Sequence, residues 1–261
     1  MDHNVHEVLH NIIFSYLKFY SKHTFKKMNK YTDTIRIKDL LNIDYKYRLK
    51  LDDEILKKYS DIIKLCADYN TKITDINHMT KLKVLHAYGY CGLTNDGIID
   101  LKNIEILDVS YNSKITNIKH MRKLKKLHAS GTCGINDKGI KDLKKLEILN
   151  ACSNSKITSV NHITKLKVLY ASRTCGIDDG GIINLNDLEI LNVDNNLKIT
   201  NVNHMTKLKV LRAYGSCGIN DGGINSLNNL EILDAGGNCK ITNIKHMVMI
   251  KKYYLNLDHV E

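Results

Sequence analysis

The sequence repeats itself with a period of 42 residues. Residues 81–122 are written again, with few changes, from Lys123, Lys165 and Lys207. Inside each period a short leucine motif recurs after 22 and then after 20 residues, as in LKVL at Leu82 and IEIL at Ile104. Each period therefore contains two coils. Because a coil of this length is too short to enclose a core, the repeat predicts coils that stack into one elongated array with a shared core.

The two coils of each period carry different motifs. The 22-residue coil contains C-x-L/I-x-x-x-G-I-x-x-L in all four copies, and the 20-residue coil contains L/I-x-x-L-x-V/A-x-x-N. The first motif resembles the cysteine-containing leucine-rich repeat that is common in F-box proteins, and the second resembles the standard repeat with an asparagine ladder. The resemblance implies an α/β leucine-rich-repeat solenoid. In that fold a curved parallel β-sheet lines the concave face, and short helices or 3-10 turns lie on the convex face.

The repeat divides the chain into four predicted segments. Residues 1–31 are a helical F-box-like segment or an N-terminal cap, and residues 32–60 are a transition with a degenerate first repeat. Residues 61–248 hold the leucine-rich repeats, and residues 249–261 form a C-terminal cap. The second segment belongs to the array because Leu51 and Leu56 lie 42 residues before Leu93 and Ile98.

The N-terminal segment has an apolar stripe at helical spacing, which includes Val5, Leu9 and Ile12 and predicts a helix. The run EVLHNIIFSYL at 7–17, followed by Phe25 and Met28, resembles an F-box, the helical module that docks onto the Skp-type adaptor of cullin-RING ubiquitin ligases. The resemblance implies these adaptor-binding residues: Leu9, Ile13, Phe14, Leu17, Phe25 and Met28. The alternative is a cap over the end of the solenoid, since repeat arrays need an atypical terminal unit.

Alternation along each predicted strand separates core residues from outward residues. In LKVLHAY, Leu85 and Ala87 face the core, while Val84, His86 and Tyr88 face outward onto the concave face. Between copies the core letters barely change and the outward letters vary, which predicts a face that contacts a protein partner; drift at exposed positions is the alternative. The predicted binding residues are Val84, His86, Tyr88, Ile106, Asp108, Tyr111, His128, Asn150, Tyr170, Arg173, Asn192, Asp194, Arg212, Tyr214 and Asp234.

Several columns of the repeat have structural explanations. The column that includes Lys83 and Glu105 alternates in sign from coil to coil, which favours correct register. The asparagine ladder (112, 154, 196, 238) should satisfy buried backbone groups, and the histidine ladder (78, 120, 162, 204, 246) should bond to backbone in a turn. The cysteine ladder (91, 133, 175, 217) advances about 10 Å per copy, too far for disulfides or a shared metal. Only Cys217 and Cys239 could approach disulfide range, and reduced thiols are expected.

Charge and composition argue against several function classes. The formal net charge is +11, but the excess is spread along the chain, so nucleic-acid binding is not favoured. No stretch approaches the roughly 18 apolar residues of a membrane span, and the N-terminus lacks a secretory signal pattern, so the sequence predicts no membrane contact and a cytoplasmic or nuclear, not secreted, protein.

The remaining chemical motif is H-E-x-x-H at residues 6–10, which on a helix could hold zinc in a metalloprotease. A catalytic zinc needs a third protein ligand in a shaped pocket, and the sequence offers none at the usual spacing. We therefore expect no catalytic residues, no metal and no cofactor. The predicted function is a protein-interaction scaffold, as an F-box substrate receptor or, alternatively, as a stand-alone leucine-rich-repeat binding module; a zinc metalloprotease is the minor alternative.

Overall fold

The structure, a computed structural model, describes residues 38–255 as a parallel β-solenoid. Eleven short strands form one sheet in chain order, and each pairs in parallel with its neighbours. The strands are β1 (Asp39–Leu40), β2 (Lys64–Cys66), β3 (Val84–His86), β4 (Ile106–Asp108), β5 (Lys126–His128), β6 (Ile148–Asn150), β7 (Val168–Tyr170), β8 (Ile190–Asn192), β9 (Val210–Arg212), β10 (Ile232–Ala235) and β11 (Lys252–Leu255). The predicted α/β leucine-rich-repeat solenoid is confirmed.

Short helical turns occur in the segments that return from one strand to the next. The helices are α1 (Tyr45–Arg48), α2 (Asp53–Leu56), α3 (Asp137–Ile140) and α4 (Asp179–Ile182), and 3-10 turns cover Asp96–Ile98 and Asp221–Gly223. The helices α3 and α4 and the two 3-10 turns occupy the same place in the four 22-residue coils. None of the helices within residues 38–255 is long and apolar enough to cross a membrane.

The core is a continuous column that follows the sheet. Leu85 pairs in register with Leu65 on one side and Leu107 on the other, and all three side chains are fully buried. Ala87 is buried in the same way, so the predicted inward phase of the strands is confirmed. Because each coil contributes equivalent residues at a fixed sequence offset, the core is built by stacking and has no single centre.

The glycine of the longer motif is required by close packing between coils. A Cβ atom on Gly181 would lie 2.2 Å from the carbonyl oxygen of Thr158, in the preceding coil. This contact is with backbone, which cannot move aside as a flexible side chain can. Glycine at this position of α4 therefore allows the two coils to pack closely against each other.

The asparagine ladder satisfies buried backbone groups as predicted. Asn154 is almost fully buried; its Nδ2 donates to the carbonyls of Ala129 (2.8 Å) and Ile135 (3.1 Å), and its Oδ1 accepts the N–H of Lys156 (3.0 Å). Asn112 and Asn196 make the corresponding contacts, and Asn238 donates to Ile219 O and accepts from Lys240 N. Asn70 donates instead to the carbonyls of Arg48 and Leu51 and accepts the N–H of Lys72. Each asparagine therefore ties its own turn to the coil before it.

The charge and histidine ladders are also confirmed as structural. Glu105 lies between two lysines of neighbouring coils, 3.3 Å from Lys83 Nζ and 3.1 Å from Lys125 Nζ. In the histidine ladder, each Nε2 lies 2.9–3.2 Å from a backbone carbonyl 22 residues earlier, as in His120 with Ile98. These groups hold the register between coils.

The repeated cysteines are packing residues in the core. The four members of the ladder are fully buried free thiols, and Leu93 N–H donates to Cys91 Sγ at 3.4 Å. The pair considered for disulfide range, Cys217 and Cys239, is free as well; Cys217 lies in the core and Cys239 at the surface.

A further repeated contact, between an aspartate on the helical side of one coil and a threonine of the next coil, was not predicted from the sequence. Asp137, at the start of α3, accepts the backbone N–H of Thr158 (2.8 Å) and its Oγ1 hydroxyl (2.6 Å). The same pairing recurs between residues 53 and 74, 179 and 200, and 221 and 242. At residue 95 an asparagine replaces the aspartate and instead donates its amide to Thr116 Oγ1 at 2.9 Å. These contacts bind the helical side of one coil to the next.

Candidate functional site

The candidate site is the outward face of the sheet, defined as the strand side chains that do not enter the core together with the residues that immediately follow each strand. The predicted adaptor-binding residues (Leu9, Ile13, Phe14, Leu17, Phe25 and Met28) and the H-E-x-x-H motif lie outside the described residues. The outward face is therefore the predicted surface that the structure describes. Parallel pairing brings its residues together at one-strand spacing.

Val84, Ile106 and their equivalents form an apolar stripe along this face that is less accessible than their predicted outward direction suggests. Val84 is only 9% exposed, so little of its side chain is accessible to a partner, and Ile106 and its equivalents are half-buried. The physical reason is the narrow spacing of about 4.8 Å between strands, at which β-branched neighbours shield one another. Lys126 also interrupts the stripe on β5. The accessible part of the face lies beyond the strand ends.

A turn with left-handed backbone follows nine successive strands, β2 to β10. Four of these positions hold glycine, but five hold other residues at φ 57–61°: Tyr69, Tyr111, Ser153, Arg173 and Asn195. Left-handed backbone costs an L-residue roughly 1–2 kcal/mol relative to its ordinary conformation, and a bulky residue is an outlier there. Of these five residues, only Tyr111 and Arg173 are among the binding residues predicted from the sequence. The signal for the others is glycine at the equivalent position of neighbouring coils.

Three tyrosine rings contact one another, edge-on or tilted, across successive coils next to this turn. The ring centroids of Tyr69 and Tyr88 are 5.3 Å apart, and those of Tyr88 and Tyr111 are 5.4 Å apart. Tyr69 and Tyr111 are each 46% exposed. The hydrogen bond with Tyr69, together with burial, raises the pKa of Tyr88 to about 12, so its hydroxyl stays protonated at neutral pH. We call Tyr69, Tyr88 and Tyr111 the tyrosine stack.

The tyrosine stack depends on glycine in the following coil. A Cβ atom on Gly131 would lie 2.4 Å from Tyr111 Cε1 and 2.7 Å from Cδ1. Gly89 has the same relation to Tyr69. Where the preceding coil has a small residue, as at Ser153, the following coil has Arg173 in place of glycine. The rings of Tyr69 and Tyr111 thus require glycine at the equivalent position of the next coil.

A polar groove of about 440 Å³ lies beside the stack on the C-terminal side. Five predicted residues line it: Tyr111, Arg173, Asn192, Asp194 and Tyr214. The hydroxyls of Ser130, Ser153 and Ser172 also line it. Hydroxyls, amides, one guanidinium and exposed tyrosine rings can together bind the polar surface of another molecule.

Some predicted binding residues also stabilise their own turns. Asp108, Asn150 and Asn192 each use Oδ1 to accept the N–H two residues later, at 2.9, 3.0 and 3.0 Å. Asp194 Oδ1 accepts the N–H of Tyr214 at 2.9 Å. These oxygens have a structural role in addition to any contact with a partner.

The remaining predicted residues spread along the sheet. His86 and His128 flank Asp108 on neighbouring strands and are half-buried. Burial lowers the pKa of His128, although the carboxylate of Asp108 acts in the opposite direction. Tyr170 is half-buried on β7, and the C-terminal coils present exposed Arg212 and Tyr214 and half-buried Asp234. Apart from Tyr214, these residues do not line the polar groove, and they extend the face along the sheet.

At the N-terminal end, three groups with metal-ligand chemistry meet. Cys66 ends β2, His86 is its register partner on β3, and Asp68 follows Cys66 by two residues. One ligand atom from each lies within 4.8 Å of the others. Burial raises the pKa of Cys66 to about 11. No metal ligands were predicted from the sequence, because Cys66 and His86 become neighbours only when β2 and β3 of successive coils pair.

Comparisons with known proteins give similarity at the level of fold. No family model and no curated protein sequence matches the chain. Among solved structures, it is similar to internalin C2 of Listeria monocytogenes, with a TM-score of 0.55, 23% identity, and coverage of 68% of this chain and 82% of that one. It is similar to the internalin InlF of the same organism, with a TM-score of 0.50, 18% identity and coverage of 84% of each chain. The chain is also similar to TLR13 in its complex with ssRNA13, with a TM-score of 0.51 and 16% identity. This match covers 76% of this chain and 36% of TLR13.

Proposed function

We propose that this chain is a non-enzymatic protein-interaction scaffold that binds a protein target through the outward face of its sheet. The observation that carries the proposal is the set of exposed, non-glycine side chains held in left-handed backbone just past the strands, above all Tyr111 and Arg173. These residues have a conformational cost that glycine avoids in the sister coils.

Drift at exposed positions explains such residues less well than binding does. Drift would be expected to keep glycine, or to replace it at a site without cost. Tyr111 leaves 46% of its surface in solvent, so much of its ring is available to a partner. Tyrosine and arginine are also the residue types that contribute most often to protein-binding hot spots. The tyrosine stack and the polar groove then form one continuous surface, since Tyr111 belongs to both.

We further propose that the target is presented to a cullin-RING ubiquitin ligase. The support is the F-box resemblance of residues 7–17 with Phe25 and Met28, which implies docking on a Skp-type adaptor. Under this proposal the protein acts in the cytoplasm or nucleus. The alternative is a stand-alone binding module that uses the same face without a ligase.

The chain itself supplies conservative substitutions for testing the target-binding face. Tyr111→Asn copies the residue found at the equivalent Asn195, and Arg173→Gly copies Gly89, Gly131 and Gly215. Both keep the left-handed turn feasible while removing the side chain. The intact chain and each variant are used as baits in quantitative affinity purification, and the same co-purifying protein is followed throughout.

Both variants should lose most of the target, whereas Lys138→Gln, an exposed change on α3, should retain it. Equal recovery by all four baits would place the interaction elsewhere. Circular dichroism of each variant separates loss of binding from loss of fold.

The adaptor proposal is tested with the full chain and a purified Skp-type adaptor. Leu9→Asp and Leu17→Asp should abolish binding of the adaptor, and Tyr111→Asn should leave it unchanged. If the unaltered chain does not bind the adaptor, the ligase proposal is wrong and the stand-alone module remains. The result for the target-binding face is independent of this outcome.

A further inference from the structure

The cluster formed by Cys66, Asp68 and His86 is a combination of side chains that the repeat architecture does not require. Cys66 is 2% exposed and occupies the outward column of β2, whereas the repeated cysteines lie in the core. Equivalent positions in later coils hold residues such as Asn150, Tyr170 and Arg212, so this combination occurs at one end only. The contact of Asp68 with the next coil has a counterpart at Asp194. Neither core packing nor the register between coils explains the thiol of Cys66 and the imidazole of His86 beside it.

The three side chains have the geometry and chemistry of a zinc site. Cys66 Sγ lies 3.2 Å from Asp68 Oδ2, and an imidazole nitrogen of His86 completes a group within 4.8 Å. A tetrahedral zinc about 2.3 Å from sulfur and about 2.0–2.2 Å from nitrogen or oxygen has ligand atoms roughly 3.5 Å apart. We propose that Cys66, Asp68 and His86 bind one Zn²⁺ ion. Mixed sulfur, nitrogen and oxygen ligands favour zinc over magnesium or calcium.

Neighbouring groups already orient two of the ligands. Asp68 Oδ1 accepts the N–H of Tyr88 at 2.9 Å, and this contact holds Oδ2 beside the sulfur. Arg48 Nη1, from α1, donates to Cys66 Sγ at 3.0 Å. Such outer contacts fix the direction of ligands in metal sites and are part of their design.

The charges are balanced when the ion is bound. The thiol proton leaves to solvent on binding, and a thiolate and a carboxylate then neutralise the two charges of zinc. The guanidinium of Arg48 remains as a donor to the thiolate, and Asp108, the register partner of His86, supplies a compensating negative charge nearby. Three protein ligands leave the fourth position of a tetrahedral zinc for water or another ligand.

Cobalt is the probe for this site, because four-coordinate Co²⁺ bound to a thiolate gives both charge-transfer and strong visible absorption. Co²⁺ is titrated into the purified full-length chain under reducing conditions, and Zn²⁺ is then added in competition. We expect one equivalent of Co²⁺ with thiolate absorption, which Zn²⁺ displaces. Cys66→Ser should remove the charge-transfer band, and His86→Asn and Asp68→Asn should each weaken Zn²⁺ binding by at least about 100-fold, as expected for loss of a direct ligand.

Two controls separate this site from other metal-binding groups of the chain. Cys239→Ser removes an exposed thiol and should leave the spectrum unchanged. His10→Asn disrupts the H-E-x-x-H motif and should also leave the thiolate band in place. His86→Asn alters a half-buried side chain outside the core, so it tests the site even if Cys66→Ser does not fold. Absence of bound metal in the unaltered chain, or a full thiolate band in Cys66→Ser, would show that the proposal is wrong.

Discussion

Replacing Asn154 by alanine tests how the coils are held together. The amide of Asn154 donates to Ala129 O at 2.8 Å and to Ile135 O at 3.1 Å, and its oxygen accepts from Lys156 N at 3.0 Å. The side chain is 1% exposed. The change therefore removes three hydrogen bonds at once and leaves two carbonyls and one N–H without this partner.

The expected loss follows from these contacts. A typical hydrogen bond contributes about 1 kcal/mol net to stability, and a buried group left without a partner costs about 1–3 kcal/mol. The free energy of unfolding should therefore fall by about 3–5 kcal/mol. Asn112→Ala should cost less, because the corresponding donor contacts are longer, at 3.2 Å to Ala87 O and 3.5 Å to Leu93 O.

Urea unfolding of the full chain, followed by far-UV circular dichroism, measures this loss. Ser155→Ala, at the exposed neighbouring position, is the matched control and should stay within about 0.5 kcal/mol of the unaltered chain. Because stacked repeats can open locally, native-state hydrogen exchange at Lys156 N–H provides a second readout, and its exchange should accelerate. A loss below about 1 kcal/mol, or equal losses at residues 154 and 155, would refute the bonding scheme.

Three further predictions concern other contacts. Gly131→Ala should destabilise the chain by at least about 1 kcal/mol, because φ at this position is +66° and the new Cβ would meet the ring of Tyr111. Adding Tyr111→Ser should recover part of this loss, as measured by urea unfolding. If stability does not recover, the ring is not the cause. Hydrogen bonds from two flanking lysines lower the pKa of Glu105 in the folded chain. The unaltered chain should therefore be more stable than Glu105→Gln by its full margin at neutral pH, and this margin should shrink as pH falls below 4.5. A margin that does not change with pH would contradict this prediction. Burial raises the pKa of Cys133 to about 11. Alkylation of the native chain at pH 8, followed by mass spectrometry, should therefore show modification of the exposed Cys239 well before that of Cys133. Equal rates of modification would mean that the core opens readily.

Much of the structural role of the repeat was predictable from single columns of the sequence. The inward Leu85, the buried Asn154 and the alternating partners of Glu105 have the roles that their spacing indicates. The low accessibility of Val84 was not predicted, because alternation gives the direction of a side chain but not how far its neighbours cover it. The threonine contact of Asp137 was missed, since it joins residues that are 21 positions apart with no distinctive local pattern.

The candidate site was predictable only in part for a similar reason. The sequence identified the variable outward columns, and five of the predicted residues line one groove. It did not indicate that Tyr69 and Tyr111 occupy left-handed backbone, or that glycine in the next coil makes room for their rings. Both facts depend on contacts between coils of different type.

The sequence by itself determined the architecture, because a period of 42 residues with alternating 22- and 20-residue steps places equivalent leucines, asparagines and charges opposite one another whenever the coils stack. Only the tertiary structure decided which of the variable residues act together. Cys66 and His86 become neighbours through strand pairing across two coils, and Arg48 approaches them from a separate helix. A repeat determines contacts between equivalent positions, whereas a site built from non-equivalent residues depends on their distances and burial in the folded chain.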